Sequence, residues 1–135
     1  MKTFLWTIRV YYEDTDCGGV VYHSRYLNFL ERARTEWLRS LGFEQDQLRQ
    51  ELGILFAVRS VNIDYLQPAR FNNELEVFVG INSIAKASMV LSQEIRIKQQ
   101  SKPLVEASVR IVCLDAVAFK PKVIPDVLLK EIVSD

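Results

Sequence analysis

The spacing of hydrophobic and polar residues divides the chain into one helical segment and several extended ones. From Ser24 to about Leu41, apolar residues recur every three or four positions, and charged residues lie on the opposite side. This period predicts a long amphipathic helix that buries one face. We expect Ser24 to be its N-cap and Gly42 to follow its last turn. The apolar positions are Tyr26, Leu27, Leu30, Ala33, Trp37, Leu38 and Leu41.

Segments rich in β-branched and aromatic residues predict strands on both sides of this helix. Phe4 to Glu13 precedes it, and Ile54 to Leu66 follows Gly53. Three more strands alternate between apolar and polar positions, and the last, Leu104 to Leu114, is apolar enough to lie centrally. The alternating apolar positions are Leu75, Val77, Val79 and Ile81, then Met89, Leu91, Ile95 and Ile97, then Val105, Ala107, Val109, Ile111 and Cys113. Turns are expected at 72–73, 84–86 and 99–103, and short helices at 46–51 and 126–133.

The predicted order of elements is one strand, one long helix and about four further strands. Consecutive strands without intervening helices favour an antiparallel sheet with the helix on one face, which is an α+β arrangement. A single sheet of this kind leaves an edge and part of a face uncovered, and pairing two copies of the chain covers both. The sequence therefore predicts a homo-oligomer.

Length and charge narrow the class of protein. The 135 residues predict a single domain over 1–135, and a hydrophobic content of 49% is sufficient for a core without disulfides. Lys plus Arg and Asp plus Glu number 17 each, which argues against a general nucleic-acid or anionic-membrane surface. Cys17 and Cys113 form neither a disulfide framework nor a metal-binding pattern. Because no segment has the roughly 18 apolar residues of a membrane span, we expect a cytoplasmic protein without membrane insertion.

Residues that can carry chemistry concentrate between the first strand and the long helix. Residues 10–23 contain three acids, two glycines and the only histidine, His23. A loop that begins a helix presents unpaired backbone N–H groups and the positive end of the helix dipole, and glycines allow a ligand to approach closely. An acid beside such donors can attack a carbonyl or activate water while the donors hold the developing negative charge. We therefore expect the reaction site here.

This loop and the helix after it resemble the 4-hydroxybenzoyl-CoA thioesterase family of hotdog-fold acyl-CoA thioesterases, and most closely the branch associated with the bacterial Tol-Pal system. The similar segments are Arg9 to Asp16, Gly18 to His23, Tyr26-Leu27 and Glu31 to Glu36, with weaker similarity at Ile63 to Tyr65, Pro68 to Arg70, Pro121 and Ile124-Pro125. Two positions depart from the family pattern. Cys17 stands where Ala or Pro is common, and Asn73 stands where an Asp is frequent.

The resemblance implies a hotdog fold, in which an antiparallel five-stranded sheet wraps around one long helix. It also implies a homodimer or homotetramer with its active sites at subunit interfaces. In such a site Asp16 is the catalytic acid, and the backbone N–H at His23 polarises the thioester carbonyl. The His23 side chain contributes to activity, and Tyr12 is the nearby aromatic residue.

Five further residues are candidates for substrate binding. Gly18, Gly19 and Val20 lie next to the predicted helix start, where backbone N–H groups can hold an oxyanion, although glycine pairs usually only form turns. Lys120 and Lys122 could contact coenzyme A phosphates, or they could be ordinary surface lysines.

Structural interpretations compete with the catalytic ones. An isolated Asp16 could be an Asx-turn acceptor, and a lone His23 is more often structural, but the resemblance favours function for both. Asp14 is the better candidate for a structural role. A nucleophilic pair of Cys17 and His23 ranks well below the Asp16 mechanism. Glu31 either lies on a solvated helix face or faces the pocket or the partner subunit.

The sequence thus predicts an enzyme that hydrolyses an acyl thioester of coenzyme A, or of acyl carrier protein, to a free acid and a thiol. Asp16 would act as general base or as nucleophile, with the helix start as the oxyanion site. No metal or cofactor is expected beyond the coenzyme A that arrives with the substrate. A hotdog hydratase or dehydratase is the first alternative, although the motif fits a thioesterase better. A non-catalytic acyl-binding protein of the cell-envelope system is the second, and the presence of Asp16 and His23 counts against it.

Overall fold

Five antiparallel strands form one sheet in the computed structural model, which describes residues 3–133. The strands are β1 (Phe4–Arg9), β2 (Ile54–Tyr65), β3 (Glu74–Ile84), β4 (Ser88–Ile97) and β5 (Pro103–Asp115), and their spatial order is β1-β3-β4-β5-β2. The helices are α1 (Arg25–Ser40), α2 (Gln45–Gln47), which continues into a π-helical turn at Leu48–Leu52, and α3 (Asp126–Val133). The predicted α+β arrangement, with one long helix against an antiparallel sheet, is confirmed.

The apolar side of α1 packs on the inner face of the sheet, over β1 and β3. The buried helix residues are Tyr26, Phe29, Leu30, Ala33, Trp37 and Leu38. On β3 the inward positions Leu75, Val77 and Val79 are fully buried, as the alternation along that strand predicts. Removal of this apolar surface from water is the main force that holds the helix on the sheet.

One polar side chain, Gln93 of β4, lies within this apolar contact and is only 3% exposed. Its amide nitrogen donates to the Leu30 carbonyl at 3.1 Å, and its amide oxygen accepts from Arg34 at 3.0 Å. Burial lowers the pKa of the Arg34 guanidinium, and the negative charge of Glu31 acts in the opposite direction. Both ends of the Gln93 amide therefore bind α1.

The inner face of the sheet is open along β2. Val58 pairs in register with Ile111, and Val61 with Val109, so each points to the same side of the sheet as its buried neighbour. Val58 is nevertheless 48% exposed and Val61 38% exposed, because α1 covers the opposite half of the sheet. β2 is also an edge strand, with β5 as its only neighbour. One chain thus leaves both an edge and an apolar face uncovered, as predicted.

The first strand is shorter than predicted. β1 ends at Arg9, and Tyr12–Asp14 forms a 3₁₀ turn in place of the expected continuation to Glu13. Local hydrogen bonds explain the difference, since the Asp14 carboxylate accepts the Tyr11 N–H at 2.9 Å and the Asp14 N–H donates to the Tyr11 carbonyl at 3.0 Å. A short acidic side chain often competes with a strand in this way.

The predicted residues at the two ends of α1, Ser24 and Gly42, can be compared with the structure. Ser24 occupies the N-cap position, as predicted, but it already has helical dihedral angles and its side chain makes no capping hydrogen bond. Gly42 follows the last turn with φ +96°, and its N–H donates to the Arg39 carbonyl at 3.0 Å, as expected for a glycine at this position.

Candidate active site

The segment between β1 and α1 folds back on itself as a tight loop. The Asp16 N–H donates to the Val20 carbonyl at 2.9 Å, which closes the loop around residues 17–19. The Val21 N–H donates to the Ala69 carbonyl at 2.8 Å, which fixes the returning half to the segment after β2. The tip of the loop, including Asp16 and the two glycines, is exposed in the single chain.

Asp14 anchors this loop from inside. Its side chain is almost completely buried, its carboxylate accepts the Tyr11 N–H, and its other oxygen lies 4.0 Å from Nε of Arg25 in the first turn of α1. Its backbone carbonyl accepts the Tyr22 N–H at 2.8 Å. These contacts join both halves of the loop to the helix, which is the structural role expected of Asp14.

Asp16 differs from Asp14 in its exposure and in having no basic partner among residues 3–133. Its side chain is exposed, and its Oδ1 accepts the Gly18 N–H at 2.8 Å. Among residues 3–133, its Oδ2 accepts no hydrogen bond. One oxygen therefore orients the carboxylate, and the other can take a proton or attack an electrophile.

The start of α1 provides unpaired donors. The Arg25 N–H donates to the Tyr22 carbonyl at 2.9 Å, but the N–H groups of His23 and Ser24 have no acceptor in the part of the chain that the structure describes. Free N–H groups at a helix start, where the dipole is positive, can hold a developing oxyanion.

Two tyrosine rings flank the His23 side chain. The rings of His23 and Tyr22 lie 4.5 Å apart, and the His23 ring meets the edge of Tyr65 at 6.3 Å. Tyr65 ends β2 and is 46% exposed, although its register partner on β5, Val105, is fully buried. The exposed His23 ring thus lies between two tyrosine rings near the end of β2.

Sequence reasoning placed Tyr26 with the apolar core and missed its hydroxyl. Tyr26 is buried, but its oxygen accepts the Ala69 N–H at 2.9 Å, a contact between residues 43 positions apart. Its ring lies 5.6 Å from that of Tyr65, so it belongs to the same aromatic cluster as His23. The only signal in the sequence was a tyrosine on a helix face whose other members are mainly aliphatic.

Tyr12 lies at the outer rim of the loop. It begins the 3₁₀ turn, and its backbone carbonyl accepts two hydrogen bonds from Thr15, one from the backbone N–H at 3.0 Å and one from the side-chain hydroxyl at 2.8 Å. Its ring stacks on Phe71 at a centroid distance of 4.0 Å and is 76% exposed. The structure therefore brings Tyr12 to the same end of the molecule as Asp16, with its ring on the surface.

Lys120 and Lys122 do not join this group within one chain. The Lys120 carbonyl accepts the Asp115 N–H at 2.8 Å, and Nζ of Lys122 lies 3.8 Å from Oδ1 of Asp115. Asp115 pairs with Ile54 at the start of β2, whereas Tyr65 lies at its end. A strand of this length spans about 36 Å, so the lysines lie far from the Asp16 loop of the same chain.

The remaining candidates concern thiols and metals. Cys17 is exposed beside Asp16, and Cys113 is buried, which raises the pKa of its thiol. Residues 3–133 contain no cluster of three or more His, Cys, Asp or Glu side chains arranged to hold a metal ion.

The longest helix, α1, has 16 residues, and no helix among residues 3–133 has the length and apolar content of a membrane span.

Comparison with known proteins places this loop and fold in one family. The chain is 44% identical over 128 residues to the acyl-CoA thioester hydrolase YbgC of Escherichia coli O6:H1, which covers 95% of this chain and 94% of that protein. A probable thioesterase from Bartonella henselae is 35% identical, with a TM-score of 0.86 over 92% of this chain and 100% of that structure. A 1,4-dihydroxy-2-naphthoyl-CoA thioesterase from Synechocystis shares the fold, with a TM-score of 0.90 at 24% identity over 98% and 97% of the two chains.

These similarities extend over the loop, α1 and the whole sheet, and they confirm the predicted hotdog fold. A family model described as the thioesterase-like superfamily matches residues 10–132. The chain belongs to the thioesterase-like superfamily.

Proposed function

We propose that this protein hydrolyses acyl-CoA thioesters, with Asp16 as the residue that activates the attacking group. The observation that supports this best is that one short loop carries both an exposed Asp16 carboxylate with one unoccupied oxygen and, where the loop enters α1, unpaired backbone N–H groups. The name of the Escherichia coli relative, an acyl-CoA thioester hydrolase, supports the same reaction. A thioester needs both a proton acceptor and an oxyanion site, and this loop offers the two together.

In the proposed reaction, Asp16 removes a proton from water as the water oxygen bonds to the thioester carbonyl carbon. The carbonyl oxygen gains the negative charge and is held by the N–H groups of His23 and Ser24. Collapse of this intermediate breaks the C–S bond, and the leaving thiolate takes the proton from Asp16, directly or through His23, which restores the Asp16 carboxylate. A variant of this reaction has Asp16 attack directly, which forms a mixed anhydride that water then hydrolyses. Both routes use the same carboxylate and the same donors.

The His23 imidazole has a secondary role in this proposal. It lies beside the backbone donors and against Tyr22 and Tyr65, where it can position water or donate to the leaving thiol. We propose that the reaction needs no metal and no cofactor other than the coenzyme A of the substrate. The reason is that acid, donors and histidine already supply proton transfer and charge stabilisation.

We further propose that a second copy of the chain completes the site. The open edge and the exposed Val58 and Val61 of β2 would both be covered if two β2 strands paired antiparallel about a two-fold axis. Such pairing sets the start of one β2 beside the end of the other. Lys120 and Lys122 of one chain would then approach the Asp16 loop of its partner, where they could bind coenzyme A phosphates.

A substrate panel with thiol detection tests the proposed activity. Short, long and aromatic acyl-CoAs, one acyl carrier protein thioester and one enoyl-CoA are offered to the purified protein and to the Asp16→Asn variant. We expect thiol release from acyl-CoA by the parent protein and very little by the variant. Hydration of the enoyl-CoA without thiol release would indicate a hydratase, and tight binding without turnover would indicate an acyl-binding protein. Either result would overturn the proposal.

A further inference from the structure

Tyr26 has a hydrogen-bonding capacity that the reaction described above does not use. It is the second residue of α1 and is only 3% exposed. Its oxygen accepts the Ala69 N–H at 2.9 Å, and its own proton meets no acceptor within residues 3–133. A phenol that accepts through a lone pair still has one O–H to donate. This buried hydroxyl therefore has a proton available for a bound molecule.

The surroundings of Tyr26 connect it to the loop that carries Asp16. Ala69, whose N–H it binds, also accepts the Val21 N–H through its carbonyl, so one residue joins the first turn of α1 to the returning half of the loop. The Tyr26 ring lies 5.6 Å from Tyr65, and Tyr65 in turn meets the ring of His23. The hydroxyl is thus held at the junction of the helix start, the loop and the end of β2.

Burial, more than any nearby charge, keeps this hydroxyl protonated. Burial raises the pKa of Tyr26, the hydrogen bond from Ala69 lowers it, and Tyr65 and the negative charge of Asp16 raise it, with a net upward shift. Tyr26 consequently remains a donor well above neutral pH. Geometry links the two side chains through the loop: Ala69 binds both the Tyr26 hydroxyl and the Val21 N–H, and the carbonyl of the preceding Val20 accepts the Asp16 N–H at 2.9 Å. Among residues 3–133, the Tyr26 hydroxyl and the Asp16 carboxylate make no direct hydrogen bond. A donor and an acceptor related in this way can bind one small molecule between them.

We propose that Tyr26 is a positioning residue that holds the attacking water between its hydroxyl and Oδ2 of Asp16. The inference rests on the proposed role of Asp16 and assigns it the general-base route. The Tyr26 O–H donates to a lone pair of the water oxygen, while one water proton points to Asp16. On attack, that proton passes to Asp16, the other lone pair of the water forms the bond to the thioester carbon, and Tyr26 keeps its own proton.

The first test compares Tyr26→Phe with Tyr11→Phe, each measured for kcat, KM and thermal melting. Tyr26→Phe keeps the ring and removes the hydroxyl, and we expect kcat to fall on the order of 10-fold with KM within about 3-fold, the effect of one lost hydrogen bond. Tyr11→Phe removes an exposed phenol of the same chemistry, and its backbone bond to Asp14 remains, so its kinetics should match the parent protein. Full activity of Tyr26→Phe would overturn the proposal.

The second test asks whether Tyr26 acts through the water on Asp16 or only by holding the fold together. If it acts through that water, Tyr26→Phe should lower kcat in the parent protein but scarcely at all in the Asp16→Asn background. Equal losses in both backgrounds would assign Tyr26 a structural role and overturn the inference. If Asp16→Asn keeps the parent activity, the proposed function itself fails. If Asp16→Asn is inactive while Tyr26→Phe is unaffected, only the present inference fails.

A third variant covers the case in which Tyr26→Phe does not fold. Tyr26→3-fluorotyrosine keeps the size and the accepting lone pair of the hydroxyl but makes the phenol more acidic. The hydroxyl then loses its proton at a lower pH and no longer donates to water. We expect the alkaline limb of the kcat profile to move to lower pH, whereas an unchanged limb would overturn the proposal.

Discussion

Asp16 and Gly18 are held so closely that a side chain on Gly18 would crowd the Asp16 carboxylate. Oδ1 of Asp16 accepts the Gly18 N–H at 2.8 Å, and a Cβ atom on Gly18 would lie 3.2 Å from the same oxygen. Gly19 is different, because it has φ +79° and nothing lies within 4 Å of the position of its Cβ. One glycine thus leaves space for the carboxylate, and the other permits the turn.

This contrast predicts that alanine acts differently at the two glycines. Gly18→Ala should displace the Asp16 carboxylate by a few tenths of an ångström and lower kcat/KM on the order of 10-fold with little change in melting temperature. Gly19→Ala should cost roughly 1–2 kcal/mol of stability, because an L side chain is strained in the left-handed region, and should lower the melting temperature by about 3–8 °C. Kinetics and calorimetry on both variants check this, and the same effect from both substitutions would contradict it.

Asp16→Asn should nearly abolish turnover while the protein remains folded. A positioned proton acceptor contributes about 10²–10⁴-fold to the rate, and asparagine cannot take the proton. The control is Asp14→Ala, two residues earlier, which should lower the melting temperature because Asp14 is buried and bonded to both halves of the loop. Activity of Asp16→Asn within a few-fold of the parent protein would remove Asp16 from the mechanism.

His23→Ala should lower kcat, but less than Asp16→Asn does. The substitution removes the imidazole and leaves the backbone N–H that we propose for the oxyanion. The comparison is made at one substrate concentration series and one pH, with thermal melting as a check on folding. A fully active variant would show that the histidine is structural.

Cys17→Ala should remain active and become resistant to thiol reagents. Cys17 is exposed next to Asp16, so an alkyl group on it would obstruct the loop, whereas burial raises the pKa of the Cys113 thiol and protects it. Alkylation of the parent protein, followed by mass spectrometry and activity measurement, checks both statements. An inactive but folded Cys17→Ala, together with an acyl group found on Cys17 of the parent protein, would favour a Cys–His mechanism.

Val61→Lys should break the proposed subunit contact. It places a charge on the open inner face of β2, which antiparallel pairing would bury, and we expect a smaller particle by light scattering and a loss of activity. Leu5→Lys is the matched control, because Leu5 is similarly exposed, at 41%, but lies on β1 at the other edge of the sheet. A parent protein that is a well-folded monomer at micromolar concentration would contradict the interfacial site.

The fold could be predicted from the sequence because local periods and global architecture agree. The helical period of α1 and the alternation in β3 to β5 each mark the face that is buried in the structure. The predicted strand was wrong at Val10 to Glu13. The residues there favour a strand, but the Asp14 carboxylate accepts the Tyr11 N–H and the chain forms a 3₁₀ turn. The thioesterase family is confirmed by the comparisons, whereas an association with the Tol-Pal system stays a prediction.

Only those residues of the candidate site that lie close together in the sequence could be predicted. Asp16, the glycines and His23 lie within one short loop, so their spacing was enough to group them. The Tyr26 hydroxyl meets Ala69 across 43 positions, and no local pattern encodes such a contact. Lys120 and Lys122 lie far from this loop within one chain, and their proposed approach to the loop of a second chain is an arrangement that the spacing within one chain cannot predict.

The hydrogen bond of the Gln93 amide fixes the register between α1 and the sheet. Apolar side chains would tolerate a helix that slid along the sheet by part of a turn, because their contacts have no direction. The hydrogen bond from Gln93 to the Leu30 carbonyl has a direction, and a slipped helix would leave that amide unpaired at a cost of about 1–3 kcal/mol. Together with the Tyr26–Ala69 and Asp14–Arg25 contacts, this one buried polar residue thus helps to fix the position of α1 along the sheet, and therefore the place where the chain enters the helix after His23.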